Sequence, residues 1–265
     1  MNVVINISGR LGNVMFQLAQ GYEYSKLVNG KTYVYFEDKQ WEKHYDTYDI
    51  LHVFPKYTGS FDDFIQLREH IYMWPTFFPL IHNKDVFLSG CFESEDFHPN
   101  NLFVKELFSI PDEMLLKIRN KYKNIDNCVG ISIRRGDYLT LSDAFYVPKI
   151  EWYFNVYKKY FDGMQAIVFS DDIEYCKRNL KCENFLFYEN SCTDDGVFHN
   201  PMENLITLAM CKHHICSDST FSWWGAKLLE REDSINIFQD KRFKNGRFEK
   251  NYIPDRWIKE PCIFE

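Results

Sequence analysis

The chain has 265 residues, 45% hydrophobic and 26% charged, the balance of a soluble globular protein long enough for one large domain or two modest ones. A formal net charge of −7 excludes a global basic field for nucleic acid, so any phosphate-bearing ligand depends on local arginines and backbone amides. No apolar run approaches the ~18 residues of a membrane span, and the start carries no charged and apolar leader.

The expected place of work is therefore the cytoplasm, with the inner face of the cell membrane as an alternative. Eight cysteines lack CxxC pairs and the dense spacing of a secreted scaffold, which reads as reduced thiols. Cys211, His213, His214 and Cys216 have a faint metal-ligand look, but their apolar setting favours a buried strand.

In chain order, Val3–Ile7 reads as a strand, the loop Ser8–Asn13 follows, and a helical pattern runs to about Val28, where Asn29-Gly30 stops it. Lys31–Phe36 is a second strand. Residues 37 to 84, rich in aromatics, Asp and Pro, give no clear order. Asp85–Gly90 reads as another strand, ending at Cys91-Phe92-Glu93-Ser94.

The second half alternates more regularly. Val129–Ile133 is a strand running into Arg134-Arg135-Gly136-Asp137-Tyr138, and Ile150–Tyr160 a helix. Ala166–Phe169 is a strand whose Ser170-Asp171-Asp172 sequel caps a helix through Leu180. Phe185–Tyr188 is a strand, followed by a polar loop that contains Asp194-Asp195. A helix from Met202 to about Lys212, a short strand at His214–Cys216, a helix near Phe221 and a final strand at Ile235–Phe238 complete the reading. Such alternation predicts parallel sheets flanked by helices, here two Rossmann-like lobes with a cleft between them, divided near residue 120. Ligands then bind beyond the carboxyl ends of the strands.

Four loops lie at those ends. Gly9 and Gly12 bracket a turn before a helix, where free amides could seat an anion; the glycines could equally serve the turn alone, and Asn13 the N-cap. Arg134 and Arg135 end an apolar strand, where guanidiniums are expensive unless they meet anions. Alternation puts Ser132 and Arg134 on one face and Arg135 on the other, braced by a carboxylate such as Asp137. The alternative is a structural Arg–Asp cluster. Asp171 and Asp172 either cap a helix or accept hydrogen bonds from guanine or ribose. Ser219, Thr220 and Ser222 offer hydroxyls and amides at another helix start. Trp223 and Trp224 read as core.

Together the segments resemble the bacterial α-1,2-fucosyltransferases of glycosyltransferase family 11. Gly9-Arg10-Leu11-Gly12-Asn13-Val14-Met15-Phe16-Gln17 is similar to that family's opening glycine loop, and Cys128–Tyr138 to its His-x-Arg-Arg-Gly-Asp-Tyr motif. Phe169–Asp172, the Ser219–Ala226 block and, more weakly, Gly90–Ser94 match further blocks in order.

The resemblance implies a GT-B fold and inverting transfer of L-fucose from GDP-fucose to O2 of a galactosyl acceptor. It implies an N-terminal acceptor lobe over 1–120, a C-terminal donor lobe over 121–265, and no metal or other cofactor. The implied donor-binding residues are Gly9, Arg10, Gly12, Arg134, Arg135, Ser170, Asp171, Asp172, Ser219, Thr220, Phe221 and Ser222. Arg134, Asp137 and Asn13 are the catalytic candidates. Three positions depart from the pattern: Ser132 stands where the family usually has His, Val14 where it has Gln, and Asp218 where Asn is common. Competing readings are a GT-B transferase for another GDP-sugar or hydroxyl, and a non-catalytic nucleotide-sugar or glycan-binding protein.

Overall fold

The computed structural model describes residues 1–37, 42, 54–68, 79–97, 101–189, 200–244 and 252–264, the side chains of 101–103 excepted. Asp194 and Asp195 lie outside them. Two compact units emerge: Met1–Ser109 with Phe248–Pro254, and Ile110–Arg247 with Asp255–Glu265.

The first unit holds a four-stranded parallel sheet built from β1 (Asn2–Asn6), β2 (Lys31–Tyr35), β3 (Ile65–Arg68) and β4 (Val86–Ser89), in the order β2-β1-β4-β3. β3 lies in the stretch where the sequence gives no order. Helix α1 (Leu11–Leu27) connects β1 to β2 and packs on β1, Gly21 leaving room for Ile5. Helix α2 (Asn101–Leu107) lies against α1. The chain winds from β1 to β2 on one side, and β4 with β3 on the other, so the sheet reverses direction between β1 and β4.

The second unit opens with α3 (Asp112–Lys121), where Lys117 pairs with Glu203 at 2.7 Å. This helix falls in the N-terminal lobe by a division at residue 120, yet it groups with the second unit. Six parallel strands follow: β5 (Val129–Ile133), β6 (Ala166–Ser170), β7 (Phe185–Phe187), β8 (His213–Cys216), β9 (Asn236–Gln239) and β10 (Ile258–Glu260). Their order is β10-β9-β8-β5-β6-β7. The chain winds one way through β7 and then the other way, which places the reversal between β5 and β8. The sequence reading ended the sheet at β9; β10 is short and only partly buried, and its Lys and Glu hide the strand pattern.

β5 and β6 are buried throughout, as strands covered on both faces must be. One face carries α5 (Ile150–Phe161) and α6 (Ile173–Asn179), whose Trp152, Tyr153, Val156, Tyr157 and Cys176 pack on Ile131, Ile133 and Val168. The other carries α7 (Pro201–Met210) and α8 (Thr220–Lys227), where Trp223 and Trp224 are core residues at 1% and 0% exposure. Behind them Trp257 stacks on Phe238 at 5.1 Å and donates its indole N–H to Glu230. That carboxylate also receives Arg256, at 3.0 and 2.6 Å, and the Asn236 amide at 3.1 Å.

Candidate active site

In the second unit the loops after β5, β6 and β8 converge where the sheet reverses, the usual place for a ligand in a doubly wound sheet. Strand alternation sets their side chains. Ile131 and Ile133 enter the core under α5 and α6, so Ser132 faces α8 and its Oγ lies 2.8 Å from Ser222 Oγ. The Arg134 N–H donates to Ser217 Oγ at 2.9 Å, tying the β5 and β8 exits together.

The Arg134 side chain is 17% exposed and meets two carboxylates, Nη1 2.8 Å from Asp171 Oδ2 and Nη2 2.6 Å from Asp137 Oδ1. Arg135 is buried. Its N–H donates to Asp171 Oδ1 at 2.9 Å, its guanidinium lies 3.5 Å over the Tyr175 ring of α6, and Nε is 3.7 Å from Asp172 Oδ2. The two arginines thus point to different surroundings, as alternation requires. Asp137, offered as a brace for Arg135, accepts from Arg134, because the chain turns directly into a short helix α4 (Gly136–Thr140) and carries Asp137 back over that side chain.

Asp171 and Asp172 have separate tasks. Asp172 is the N-cap of α6, its Oδ1 accepting the Tyr175 N–H at 3.2 Å, and Ser170 Oγ accepts the Asp172 N–H at 3.0 Å. Asp171 spans the two arginines instead. It reaches them because residue 136 is glycine: a Cβ there would lie 2.5 Å from Asp171 Oδ2.

Ser219 caps α8 by accepting the Ser222 N–H at 3.1 Å. Ser222 is fully buried, and its hydroxyl lies 2.8 Å from both Ser132 and Ser219. It supports the turn from within, linking the β5 strand to the start of α8. Thr220 is buried at the helix start and Phe221 half-buried beside it. Tyr138, after β5, donates its hydroxyl to the Asp218 carbonyl at 3.3 Å.

Gly9, Arg10, Gly12 and Asn13 belong to the first unit, at the reversal of its own sheet. Gly9 has φ +82°, the left-handed region that suits glycine, and an added Cβ would lie 2.9 Å from the Asn13 side chain. Arg10, not Asn13, is the N-cap of α1 and makes no side-chain cap bond; Gly12 and Asn13 lie within the first turn. Gln17, fully buried, holds the two loop ends: Oε1 accepts the Ser8 N–H at 3.0 Å, and Nε2 donates to Ser8 Oγ and the Gly90 carbonyl, each at 3.1 Å.

His213 and His214 sit in β8. Burial lowers both, His213 to about 4. His214 is bonded to Asn236 and the Leu208 carbonyl, and among the described residues no group of three His, Cys, Asp or Glu could hold a metal ion.

The family model described as Glycosyl transferase family 11 matches residues 1–260. The chain belongs to that family. As a family 11 glycosyltransferase it is 28% identical, over 97% of its length and 98% of the relative's, to an alpha-1,2-colitosyltransferase of Escherichia coli. It is 31% identical to the O-antigen biosynthesis glycosyltransferase WbnK of E. coli, over 57% of this chain and 53% of that one. It is also 26% identical to the human galactoside alpha-(1,2)-fucosyltransferase 1, over 38% and 28%. Fucosyltransferase NodZ from Bradyrhizobium shares the fold, with a TM-score of 0.53 at 10% identity over 84% of this chain and 91% of that one. A structure of NodZ alpha-1,6-fucosyltransferase soaked with GDP-fucose has a TM-score of 0.50 at 9% identity, over 89% and 94%. The architecture is therefore GT-B-like, with one Rossmann-like parallel sheet in each unit. Among the described residues no helix is long and apolar enough to cross a membrane.

The charged pairs and the Gln17 pin include residues that sequence reasoning passed over as functional. Gln17, Ser217 and Arg242 are buried polar groups whose partners lie far along the chain. A glutamine in an apolar helix face is the one signal that could have marked Gln17.

Proposed function

We propose that this family 11 glycosyltransferase moves L-fucose from GDP-fucose to O2 of a galactosyl acceptor, with inversion and without a metal ion. The observation that carries the reading is the convergence of Arg134, the Asp171 carboxylate and the Ser219–Thr220 helix start at the reversal of the second sheet.

The chemistry follows from charge. As the glycosidic bond breaks through an oxocarbenium-like state, the diphosphate gains negative charge. Preorganised guanidinium and amide donors stabilise it at no reorganisation cost. Arg134, held on two sides by carboxylates, is such a donor, and the start of α8 at Ser219–Thr220 adds the positive end of a helix. Asp137 orients Arg134, and as a carboxylate 36% exposed it is the candidate to take the proton of the attacking hydroxyl. Gly9, Arg10, Gly12 and Asn13 of the first unit remain the further candidates for donor contact and catalysis. The donor is taken from a cytoplasmic pool, in keeping with cysteines that lack the spacing of a disulfide scaffold.

Incubation with GDP-fucose and a β-galactoside should release GDP, and NMR of the product should show an α-1,2 linkage. No turnover of GDP-fucose where GDP-mannose is turned over overturns the donor assignment. Activity should persist in EDTA; complete loss, restored by manganese or magnesium, overturns the metal-free mechanism. A second reading is favoured by the full-length relative, an alpha-1,2-colitosyltransferase. Colitose is fucose without its 3-hydroxyl, so faster turnover of that donor would move the assignment to it.

A further inference from the structure

The exit of β9 also reaches the reversal of the second sheet, and it brings a buried ion pair with it. Asp218 is 2% exposed and lies one residue before the Ser219 cap of α8. Its N–H donates to Gln239 Oε1 at 3.1 Å and its carbonyl accepts the Tyr138 hydroxyl, so the main chain is fixed from both sides. The carboxylate lies 3.7 Å from Nε of Arg242, itself 6% exposed. The Arg242 guanidinium covers the Phe243 ring at 4.6 Å, Phe243 packs on Phe145, and Phe145 stacks on Tyr138 at 4.1 Å. The Arg242 carbonyl accepts the Tyr146 N–H at 2.8 Å. The contacts close a ring from Asp218 through Arg242 and three aromatic side chains back to Asp218.

The charges explain why an arginine is placed there. Around the reversal, Arg134, Arg135 and Arg242 stand against Asp137, Asp171, Asp172 and Asp218. A carboxylate at a helix N-terminus suits the helix, but it competes with an anionic ligand for the same positive end. Without Arg242 the aspartates outnumber the arginines two to one. A second anion would then meet repulsion inside a site of reduced dielectric, where such terms are large.

We propose that Arg242 is a positioning residue. It neutralises Asp218 and holds it aside, so that the diphosphate of a nucleotide-sugar can seat at the Ser219–Thr220 helix start. The proposal rests on the nucleotide-sugar reading given above.

The experiment measures dissociation constants for GDP and, by competition, for guanosine, which has the same base and ribose without the phosphates. Arg242→Gln should weaken GDP by ~10-fold or more, as expected for loss of a charge-assisted interaction, and leave guanosine unchanged. Arg242→Lys should bind GDP within about threefold of the parent, since it keeps the charge. The double variant Arg242→Gln/Asp218→Asn should return GDP binding to within about threefold, because the uncompensated carboxylate is gone. If Arg242→Gln fails to fold, the lysine and double variants still decide. Three outcomes overturn the inference while the function stands: Arg242→Gln binding GDP like the parent, a double variant as weak as the single, or guanosine weakened in proportion to GDP. A parent chain that binds no GDP overturns the nucleotide-sugar reading, and this inference with it.

Discussion

The reversal of the first sheet, between β1 and β4, is held by a neutral group. Gln17 bonds the Ser8 loop and the Gly90 carbonyl through one carboxamide. At the reversal of the second sheet, between β5 and β8, the loops are held by charged groups: Asp171 pairs with the Arg134 guanidinium and accepts the Arg135 backbone N–H, and Asp218 faces Arg242. The same topology thus carries two kinds of chemistry. Charge confined to a buried site is costly unless it is paired or meets an anion, which is why the function proposed above seats the diphosphate at the second reversal.

Four changes would break or sharpen that comparison. Arg134→Lys keeps a charge but cannot bridge Asp137 and Asp171 with two nitrogens. The turnover rate should fall on the order of 100-fold, the scale of one lost transition-state donor. GDP affinity should fall with it, and the melting temperature should change little. Unaltered GDP binding and rate would remove the phosphate site from the second unit.

Gln17→Leu tests the neutral reversal. It strands the Ser8 N–H and the Gly90 carbonyl, at a cost of about 1–3 kcal/mol. Thermal melts should drop by several degrees while calorimetric titration with GDP matches the parent. A loss of GDP affinity larger than that of Arg134→Lys would reverse the assignment of the two units.

Arg135→Lys should cost less. The guanidinium stack on Tyr175 is lost, worth ~0.5–2 kcal/mol, and the melt should fall by a few degrees with GDP affinity retained. If instead GDP binding fails at unchanged stability, the two arginines have exchanged roles.

The smallest effect belongs to the sheet itself. His213 is held neutral by burial, with its pKa at about 4 against 6.5 in an unfolded chain. The unfolded chain therefore binds the extra proton first as pH falls, so stability is full above pH 6.5 and is lost progressively toward pH 4. His213→Gln should flatten that slope in melts run between these limits, and an unchanged slope would place the acid sensitivity elsewhere.

How much of this was legible in the sequence depends on the range of the interaction. β5 was readable to the residue, because the β-branched Val129, Ile131 and Ile133 alternate with the small Gly130 and Ser132 between a Cys and an Arg pair. The Ser219 cap and the core position of Trp223 and Trp224 follow from local spacing. β3 was not readable: its sequence, Ile65-Gln66-Leu67-Arg68, is short, and its place beside β4 is fixed by pairing. Arg134 and Arg135 were separable by alternation alone, yet their carboxylates were not. Asp171 reaches them only because residue 136 is glycine, a steric fact that spacing does not carry. Arg242 lies beyond β9 with no motif around it, and only the fold brings it to Asp218.

The Glu230 carboxylate takes the Trp257 indole, the Arg256 guanidinium and the Asn236 amide together. These partners come from opposite ends of the last forty or so residues, and Trp257 completes the stack on Phe238 beneath them. During synthesis, then, the second unit waits. Its six-stranded sheet cannot close over Phe238 until residue 257 has left the ribosome, and a premature stop anywhere before Arg256 leaves Glu230 without the Arg256 guanidinium and the sheet edge open.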